Sequence, residues 1–382
     1  MVLSLHELVA VRKVAGLGNT FEGWHTLKRM GETSADRAFG GCLIAQCISA
    51  AFASLPTTID QATSANSYQL YSVLGHFLGS AITTMHTQYV VEDIRTTKSF
   101  ATRKVEAWQD WATVPGIKKD GKNGTKRRVM IMLMDFQVPE KASMFEYNVM
   151  PMHADPLDIS SPTVHVEPEA FKAAIQSHYS SPDQLPTYND YLSTNYTPEV
   201  KEWYPKIVPF EQYYDIRPVI NSMGAQKILG IAFKAKTHQD VETVTRRTST
   251  HWVKAKQPPA SWQSEGQGEA RGEYEAISAF MMDAPMANLP LIFTSQPLLT
   301  PQSSASLEVS LRFLRPPDLS KWVLQEQNTE AATGGRTLTT DRIWDGEGRL
   351  VAVMTQVGIM RPKARKAKSR GKREGKDAKL SM

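Results

Sequence analysis

Two long apolar segments close the two halves of this chain: residues 127–139 read RRVMIMLMDFQVP, and residues 349–362 read RLVAVMTQVGIMRP. Each has the composition of a buried β-strand and carries one glutamine shortly before a proline. A buried glutamine is costly unless its amide forms hydrogen bonds. We therefore interpret Gln137 and Gln356 as matching positions of a duplicated unit with a polar site at one strand end.

A helix comes before the strands in each half. Residues 40–55, GGCLIAQCISAAFASL, predict a helix that is apolar almost all round and therefore buried, and residues 273–284 predict a second helix that Pro285 ends. The glycines at 40–41 let the start of the first helix approach another group closely. Predicted strands follow at 88–95, 99–108, 128–137, 306–314, 322–329, 336–344 and 349–360.

A helix followed by antiparallel strands indicates an α+β fold rather than a parallel sheet. The pattern predicts four segments. They are an N-terminal unit at 1–145, a proline-rich linker at 146–210, a C-terminal unit at 211–362 and a disordered basic tail at 363–382.

The isoelectric point of about 9.0 comes from the tail. Residues 361–382 hold ten Lys or Arg and two acidic residues, which leaves 34 basic and 37 acidic residues, a net charge of −3, in the rest of the chain. The body therefore gives no reason to expect a nucleic-acid partner. The tail alone could bind phosphates in a salt-dependent way, but a solubilising extension is the commoner role of such a run.

Other features exclude several classes of protein. The two cysteines, Cys42 and Cys47, fit small core residues better than a disulfide or a metal site, and the nine histidines are scattered. There is no phosphate-binding loop, no dinucleotide fingerprint and no nucleophile elbow. We find no apolar run of membrane-spanning length and no secretory signal, so the cytosol or an organelle is expected.

Three polar residues of the second half are candidates for chemistry. Asp283 ends an apolar helix, where a negative charge is unfavourable, so hydrogen bonds are expected to hold it as a base for water. Gln356 lies within an apolar strand, on the face of Ala352 and Met354. Ser306 starts a predicted strand. For each residue a structural role stays open: a solvated helix end, an edge position and a capping hydroxyl, respectively.

Several segments, in order over about residues 1–362, resemble the acyl-CoA thioesterase II family of bacteria and eukaryotic peroxisomes, and in particular its fungal or peroxisomal-like members. They are 39–41 (FGG), 45–46 (AQ), 99–105 (SFATRKV), 135–137 (DFQ), 216–219 (IRPV), 313–316 (FLRP), 345–348 (DGEG) and 356–361 (QVGIMR). The resemblance implies a tandem, or double, hotdog fold, in which an antiparallel sheet wraps each central helix.

The resemblance also implies a function and a site. The family's Asp, Ser or Thr, and Gln fall on Asp283, Ser306 and Gln356, which would activate a water for attack on the thioester of acyl-CoA, with no metal and no cofactor. Homo-oligomers are common in the family. The sequence departs from the family at 75–81 (GHFLGSA) and at Glu308-Val309, where an Asp-His pair is usual. A peroxisomal or cytoplasmic location is expected, although Ser381-Met382 follow the tripeptide at 378–380, AKL, and weaken the targeting signal.

Three other interpretations remain open. The first is a catalytically silent hotdog protein that binds acyl-CoA or a protein partner, which would be favoured if Asp283 were distant from Gln356. The second is a binder of acidic surfaces through the tail. The third is a hydratase or dehydratase, for which a histidine-centred site cannot be placed.

Overall fold

Strands from both halves of the chain join into one antiparallel sheet. The computed structural model describes residues 3–29, 36–56, 68–116, 123–153, 172–173, 175, 178–195, 198, 202, 204, 206, 209–258 and 272–363. Within these residues the sheet has twelve strands, in the order β1-β2-β4-β5-β6-β3-β9-β12-β11-β10-β8-β7. The order of the first six strands is repeated in reverse by the last six, so a pseudo-twofold axis passes between β3 and β9.

The six strands of the first half are Val11–Lys13 (β1), Thr20–Gly23 (β2), Gln69–Phe77 (β3), Gln88–Thr96 (β4), Phe100–Asp110 (β5) and Lys126–Gln137 (β6). Those of the second half are Tyr214–Pro218 (β7), Ser249–Ala255 (β8), Pro301–Phe313 (β9), Val323–Thr333 (β10), Arg336–Trp344 (β11) and Leu350–Pro362 (β12). The described α-helices are Leu5–Val9 (α1), Gly40–Ala53 (α2), Tyr188–Asn195 (α3), Met223–Gln226 (α4), Glu273–Met282 (α5) and Leu289–Phe293 (α6). The predicted α+β tandem hotdog and its two central helices are therefore confirmed.

The register of the sheet corrects our pairing of the two glutamines. From Met130 onward, the buried residues of β6 fall on even numbers, so Gln137 lies on the outer face, whereas Gln356 lies on the buried inner face of β12. The ladder between β3 and β9 is centred on the pair Leu74 and Ser310. An alignment of the two halves that places Arg127 on Arg349, and not Pro139 on Pro362, agrees with this centre. In that alignment, Met134 is the counterpart of Gln356. The duplication holds, but the glutamine was not duplicated with it.

The two central helices pack against each other in antiparallel directions. A Cβ atom at Gly41, near the start of α2, would lie 2.8 Å from the carbonyl oxygen of Phe280, near the end of α5. At the opposite end, a Cβ at Gly272 would collide with the ring of Phe52. The predicted close approach at the glycine pair is therefore confirmed. It brings the start of α2 next to the end of α5.

The described part of the predicted linker covers the outer face of the second half of the sheet. Tyr179 and Leu185 pack there against Trp252 and Trp344. Trp344 Nε1 donates to the carbonyl of Val149 over 2.9 Å. The domain boundaries themselves stay a prediction, and the tail beyond Lys363 lies outside the described residues.

One apolar helical segment differs from our expectation about membrane spans. Among the described residues, Glu273–Phe293 is long and apolar enough to cross a membrane by length and composition, but 78% of its window is buried inside the protein. The segment includes α5, whose helical residues are all buried in the core. Packing of a core helix therefore accounts for its apolar character.

Candidate active site

Asp283 lies where the end of α5 meets the start of α2. It is the C-cap residue of α5, as its position before Pro285 predicts, and it is 6% exposed. Phe39, the N-cap residue of α2, offers no side-chain cap, and the Gly41 N–H donates to the Asp283 carboxylate instead. Asp283 therefore lies at the N-terminus of α2, a helix of the other half, as well as at the C-terminus of its own helix α5. A negative charge is favourable at the N-terminus of a helix.

Gln356 completes the contact from the sheet. β12 lies between β9 and β11, so Gln356 is not an edge residue, and it is almost fully buried. Its Nε2 donates to Asp283 Oδ1 over 2.5 Å, whereas its Oε1 accepts no hydrogen bond from the described residues. A buried carbonyl without a donor is costly unless a ligand or a water supplies one.

Ser306 is close in register but makes no direct contact with the pair. β9 begins at Pro301, so Ser306 lies within the strand and does not start it, contrary to the prediction. It pairs with Gly358, whereas Gln356 pairs with Val309, so Ser306 and Gln356 share a face as diagonal neighbours. Within the described part of the chain, no hydrogen bond joins Ser306 to Asp283 or Gln356.

The surroundings adjust the acidity of Asp283 to a value suited to a base. Burial raises its pKa from 3.8 to about 6, because a charged carboxylate is poorly solvated there. The hydrogen bonds from Gln356 and Gly41 act in the opposite direction and favour the charged form. Asp283 is consequently a carboxylate at neutral pH with a pKa near the working pH of a general base.

The start of α2 is the part of the site that the sequence did not assign. The glycine pair indicated a close approach, and its partner is the carboxylate itself, since a Cβ at Gly40 would lie 2.9 Å from Asp283 Oδ2. Any larger residue at position 40 would displace that oxygen or the neighbouring Phe77 ring. The glycine pair could be seen in the sequence, but no neighbouring residue indicated that its partner, Asp283, lies in the other half of the chain.

Other catalytic groups are scarce around this pair. Cys42 and Cys47 are free and buried, as predicted for core residues, and burial raises the pKa of the Cys42 thiol to about 12. A thiol with such a pKa is a poor nucleophile. No group of three or more His, Cys, Asp or Glu among the described residues could hold a metal ion.

Two family models match this chain. The model of the acyl-CoA thioesterase N-terminal domain matches residues 30–131, and that of the acyl-CoA thioesterase C-terminal domain matches residues 192–360. A comparison with curated protein sequences gave no match.

Solved structures share the fold at low sequence identity. The acyl-CoA thioesterase II TesB2 from Mycobacterium marinum is 19% identical with a TM-score of 0.57, and 94% of this chain and 98% of that chain are covered. A tesB protein from Mycobacterium avium subsp. paratuberculosis is 14% identical with a TM-score of 0.56 and the same coverage. A hotdog-fold protein from Alicyclobacillus acidocaldarius is 15% identical with a TM-score of 0.55, covering 95% and 100%.

The two family models match in order, and together they cover more than half of the chain. Their descriptions correspond to the two halves that the sheet order relates by pseudo-twofold symmetry. The chain therefore belongs to the acyl-CoA thioesterase family.

Proposed function

We propose that this protein hydrolyses acyl-CoA to a free acid and coenzyme A by means of an activated water. The observation that carries the proposal is the contact between Asp283 and Gln356 at the start of α2. It joins a base, an orienting amide and the positive end of a helix in one buried place. A silent binding protein would have no need of this arrangement.

The carboxylate of Asp283 and the Oε1 atom of Gln356 can both accept hydrogen bonds from the attacking water. The water donates one hydrogen bond to the Asp283 carboxylate and the other to Gln356 Oε1, which has no donor among the described residues. Asp283 removes a proton as the water oxygen attacks the thioester carbonyl carbon, and the C–S bond then breaks. The proton passes on to the coenzyme A thiolate. Ser306, on the same sheet face, completes the hydrogen-bond set around the reacting group.

Several surroundings of this site support the chemistry. The positive end of α2 favours the carboxylate and the negative charge that develops on the carbonyl oxygen. A thiolate is a good leaving group, so no covalent nucleophile is required. Burial keeps Asp283 poorly solvated, which makes its carboxylate a stronger base than an exposed aspartate.

The test is release of thiol from a panel of acyl-CoAs of short to long acyl chains, followed with a thiol reagent. We expect release with at least one chain length, and the panel also identifies the preferred acyl group. No release from any member of the panel would contradict the proposal and favour the silent binding protein.

Location and assembly are also proposed rather than shown. We expect a peroxisomal or cytoplasmic enzyme of lipid metabolism that forms a homo-oligomer. Fluorescence microscopy of an N-terminally tagged chain, with a peroxisomal marker, distinguishes the two compartments. Light scattering during gel filtration gives the number of subunits.

A further inference from the structure

The inner face of the second half of the sheet carries a buried polar quartet where the first half has three apolar residues and one tyrosine. In the first half, β4 lies between β2 and β5. In the second half, the equivalent strand β10 lies between β8 and β11. The first half has Tyr89 opposite Phe21 and Val91 opposite Val105. The corresponding pairs of the second half are Gln325 opposite His251 and Gln327 opposite Asp341. All four polar residues are at most 7% exposed.

Hydrogen bonds connect the quartet into one chain. Gln325 Nε2 and Gln327 Nε2 both donate to Asp341 Oδ2, over 2.5 and 2.8 Å. His251 Nε2 lies 2.9 Å from Gln325 Oε1. Burial raises the pKa of Asp341 well above its ordinary value and lowers that of His251 to about 4, so His251 is uncharged at neutral pH.

The chain of hydrogen bonds ends at the residue that follows the proposed base. Gln327 Nε2 also donates to the carbonyl of Ala284, over 2.7 Å. The last carbonyls of a helix have no partner within the helix, and the proline after Ala284 prevents the helix from continuing regularly. Gln327 therefore satisfies a buried carbonyl and ties the end of α5 to β10.

Stability alone does not account for this arrangement. The first half fills the equivalent place with three apolar residues and Tyr89, whose hydroxyl donates to Gln46, and buried polar groups usually cost more than apolar groups of similar size. Asp341 Oδ1 and Gln327 Oε1 have no partner among the described residues, which adds to the cost. What the quartet provides, and an apolar core cannot, is a directed hydrogen bond to the backbone beside Asp283.

We propose that Gln327, oriented by Asp341, is a positioning residue that fixes the Ala284 carbonyl and thereby aligns Asp283 with Gln356 and the start of α2. The proposal rests on the proposed function. Gln327 acts through the backbone and does not touch the reacting atoms. Its loss misplaces the base relative to the water, so it lowers kcat more than it raises KM.

The first experiment compares Gln327→Met with His251→Phe in the full-length protein. Methionine keeps the length of Gln327 without its donors, and we expect kcat to fall about 10- to 100-fold with little change in KM. His251 belongs to the same buried quartet but lies at the far end of the chain of hydrogen bonds, and phenylalanine is its counterpart in the first half. We expect His251→Phe to keep kcat within about twofold of wild type. Equal losses of kcat in both variants would overturn the proposal.

The second comparison tests the role of Asp341. Asp341→Asn keeps an acceptor for Gln327 in a side chain of the same shape, so it should retain kcat. Asp341→Val, which introduces the residue of the first half, should lower kcat as Gln327→Met does. A valine variant with wild-type kcat would contradict the proposal.

Crystal structures separate a failure of this proposal from a failure of the proposed function. If no acyl-CoA is hydrolysed by the wild type, the function is wrong, but the positioning can still be measured. The contact between Gln356 Nε2 and Asp283 Oδ1 should lengthen in Gln327→Met and stay as in wild type in His251→Phe. An unchanged contact in Gln327→Met would overturn the positioning role whatever the activity.

Discussion

The two ends of the central helix pair occupy equivalent places in the sheet, but they hold different chemistry. At one end, Asp283 caps α5 and contacts Gln356. At the other, the C-cap of α2 is Ser54, and Met134 takes the place of Gln356. Arg103, which pairs with Met134, is buried and donates to Ser54 over 3.1 Å and to Asp93 over 2.7 Å. One end thus has a buried carboxylate beside an amide whose oxygen has no donor among the described residues, and the other has a hydroxyl held by a paired arginine.

This difference shows how a duplicated fold divides its roles. At both ends, the C-terminus of one central helix packs against the N-terminus of the other. At the Ser54 end, the hydroxyl donates to the carbonyl of Ala51 and accepts from Arg103, so its hydrogen bonds are made within the protein. At the Asp283 end, Gln356 Oε1 has no donor among the described residues, and burial raises the pKa of the Asp283 carboxylate. The comparison predicts that turnover depends on one end only.

Asp283→Asn should have the largest effect on turnover. Asparagine keeps the shape of the side chain but cannot accept a proton, so we expect kcat to fall on the order of 10³-fold. Ser54→Ala, the matched change at the other end, should leave kcat unchanged and lower only the melting temperature. Thiol release and thermal unfolding of both variants test this, and comparable losses of kcat at the two ends would break the comparison.

Gln356→Met should have the next largest effect. It replaces Gln356 by methionine, the residue that Met134 provides at the equivalent position of the first half. It removes the donor to Asp283 and the acceptor for the water, and we expect about a 10²-fold loss of kcat. Met134→Leu is the control in the first half and should leave kcat unchanged. Retained turnover in Gln356→Met would show that this amide does not orient the water.

The elements with a clear local pattern could be predicted from the sequence, whereas β3 at the centre of the sheet and the outer strands β1, β2, β7 and β8 could not. β5, β6 and β12 were recognised because their burial follows their own periodicity, and α2 was recognised because it is apolar almost all round. β3 was missed, since its sequence QLYSVLGHF contains a glycine and a histidine and its burial comes from pairing with β9 of the other half. β9 was predicted too short, because its first residues are serine-rich and partly exposed and gain their strand geometry from β12.

The candidate site shows the same limit. Asp283 and Gln356 stood out because each is polar within an apolar segment, but they are 73 residues apart and their contact is a property of the folded sheet. Gly41 belongs to the other half altogether. The roles of Gln327 and Asp341 were not recognised at all, because a glutamine in a strand and an aspartate in a strand give no local sign of a partner at Ala284.

The outer faces of the two halves also differ, and Glu326→Gln tests that difference. On the second half, Glu326 accepts from the linker at Met152 N and Tyr179 Oη, whereas Leu74, Val90 and Leu133 on the first half are exposed. Burial raises the pKa of Glu326 from 4.5 to about 7. The folded state therefore binds the proton more tightly than the unfolded state, and stability is lost as the pH rises through this range.

In glutamine, Oε1 still accepts from Met152 N and Nε2 can donate to Tyr179 Oη, so both contacts persist without the charge, the second with its direction reversed. The variant should match wild type in its free energy of unfolding below pH 4.5 and exceed it by on the order of 2 kcal/mol above pH 7. Urea unfolding at both pH values measures this. Equal pH dependence in the two proteins would show that the linker does not desolvate Glu326 in solution.

The smallest effect, and the sharpest test of the Asp283 end, is a shift in the pH profile. Asp283 must be deprotonated to act as a base, so kcat/KM of the wild type should rise with pH to a plateau with a midpoint at about 6, and fall tenfold per pH unit below it. The hydrogen bond from Gln356 lowers the pKa of Asp283, and its removal should move the midpoint of the residual activity of Gln356→Met to higher pH. Met134→Leu should keep the wild-type midpoint, since no titrating base is expected at the Ser54 end. A midpoint that stays in place in Gln356→Met would assign the titration to a group other than Asp283, because among the described residues no other carboxyl accepts from that amide.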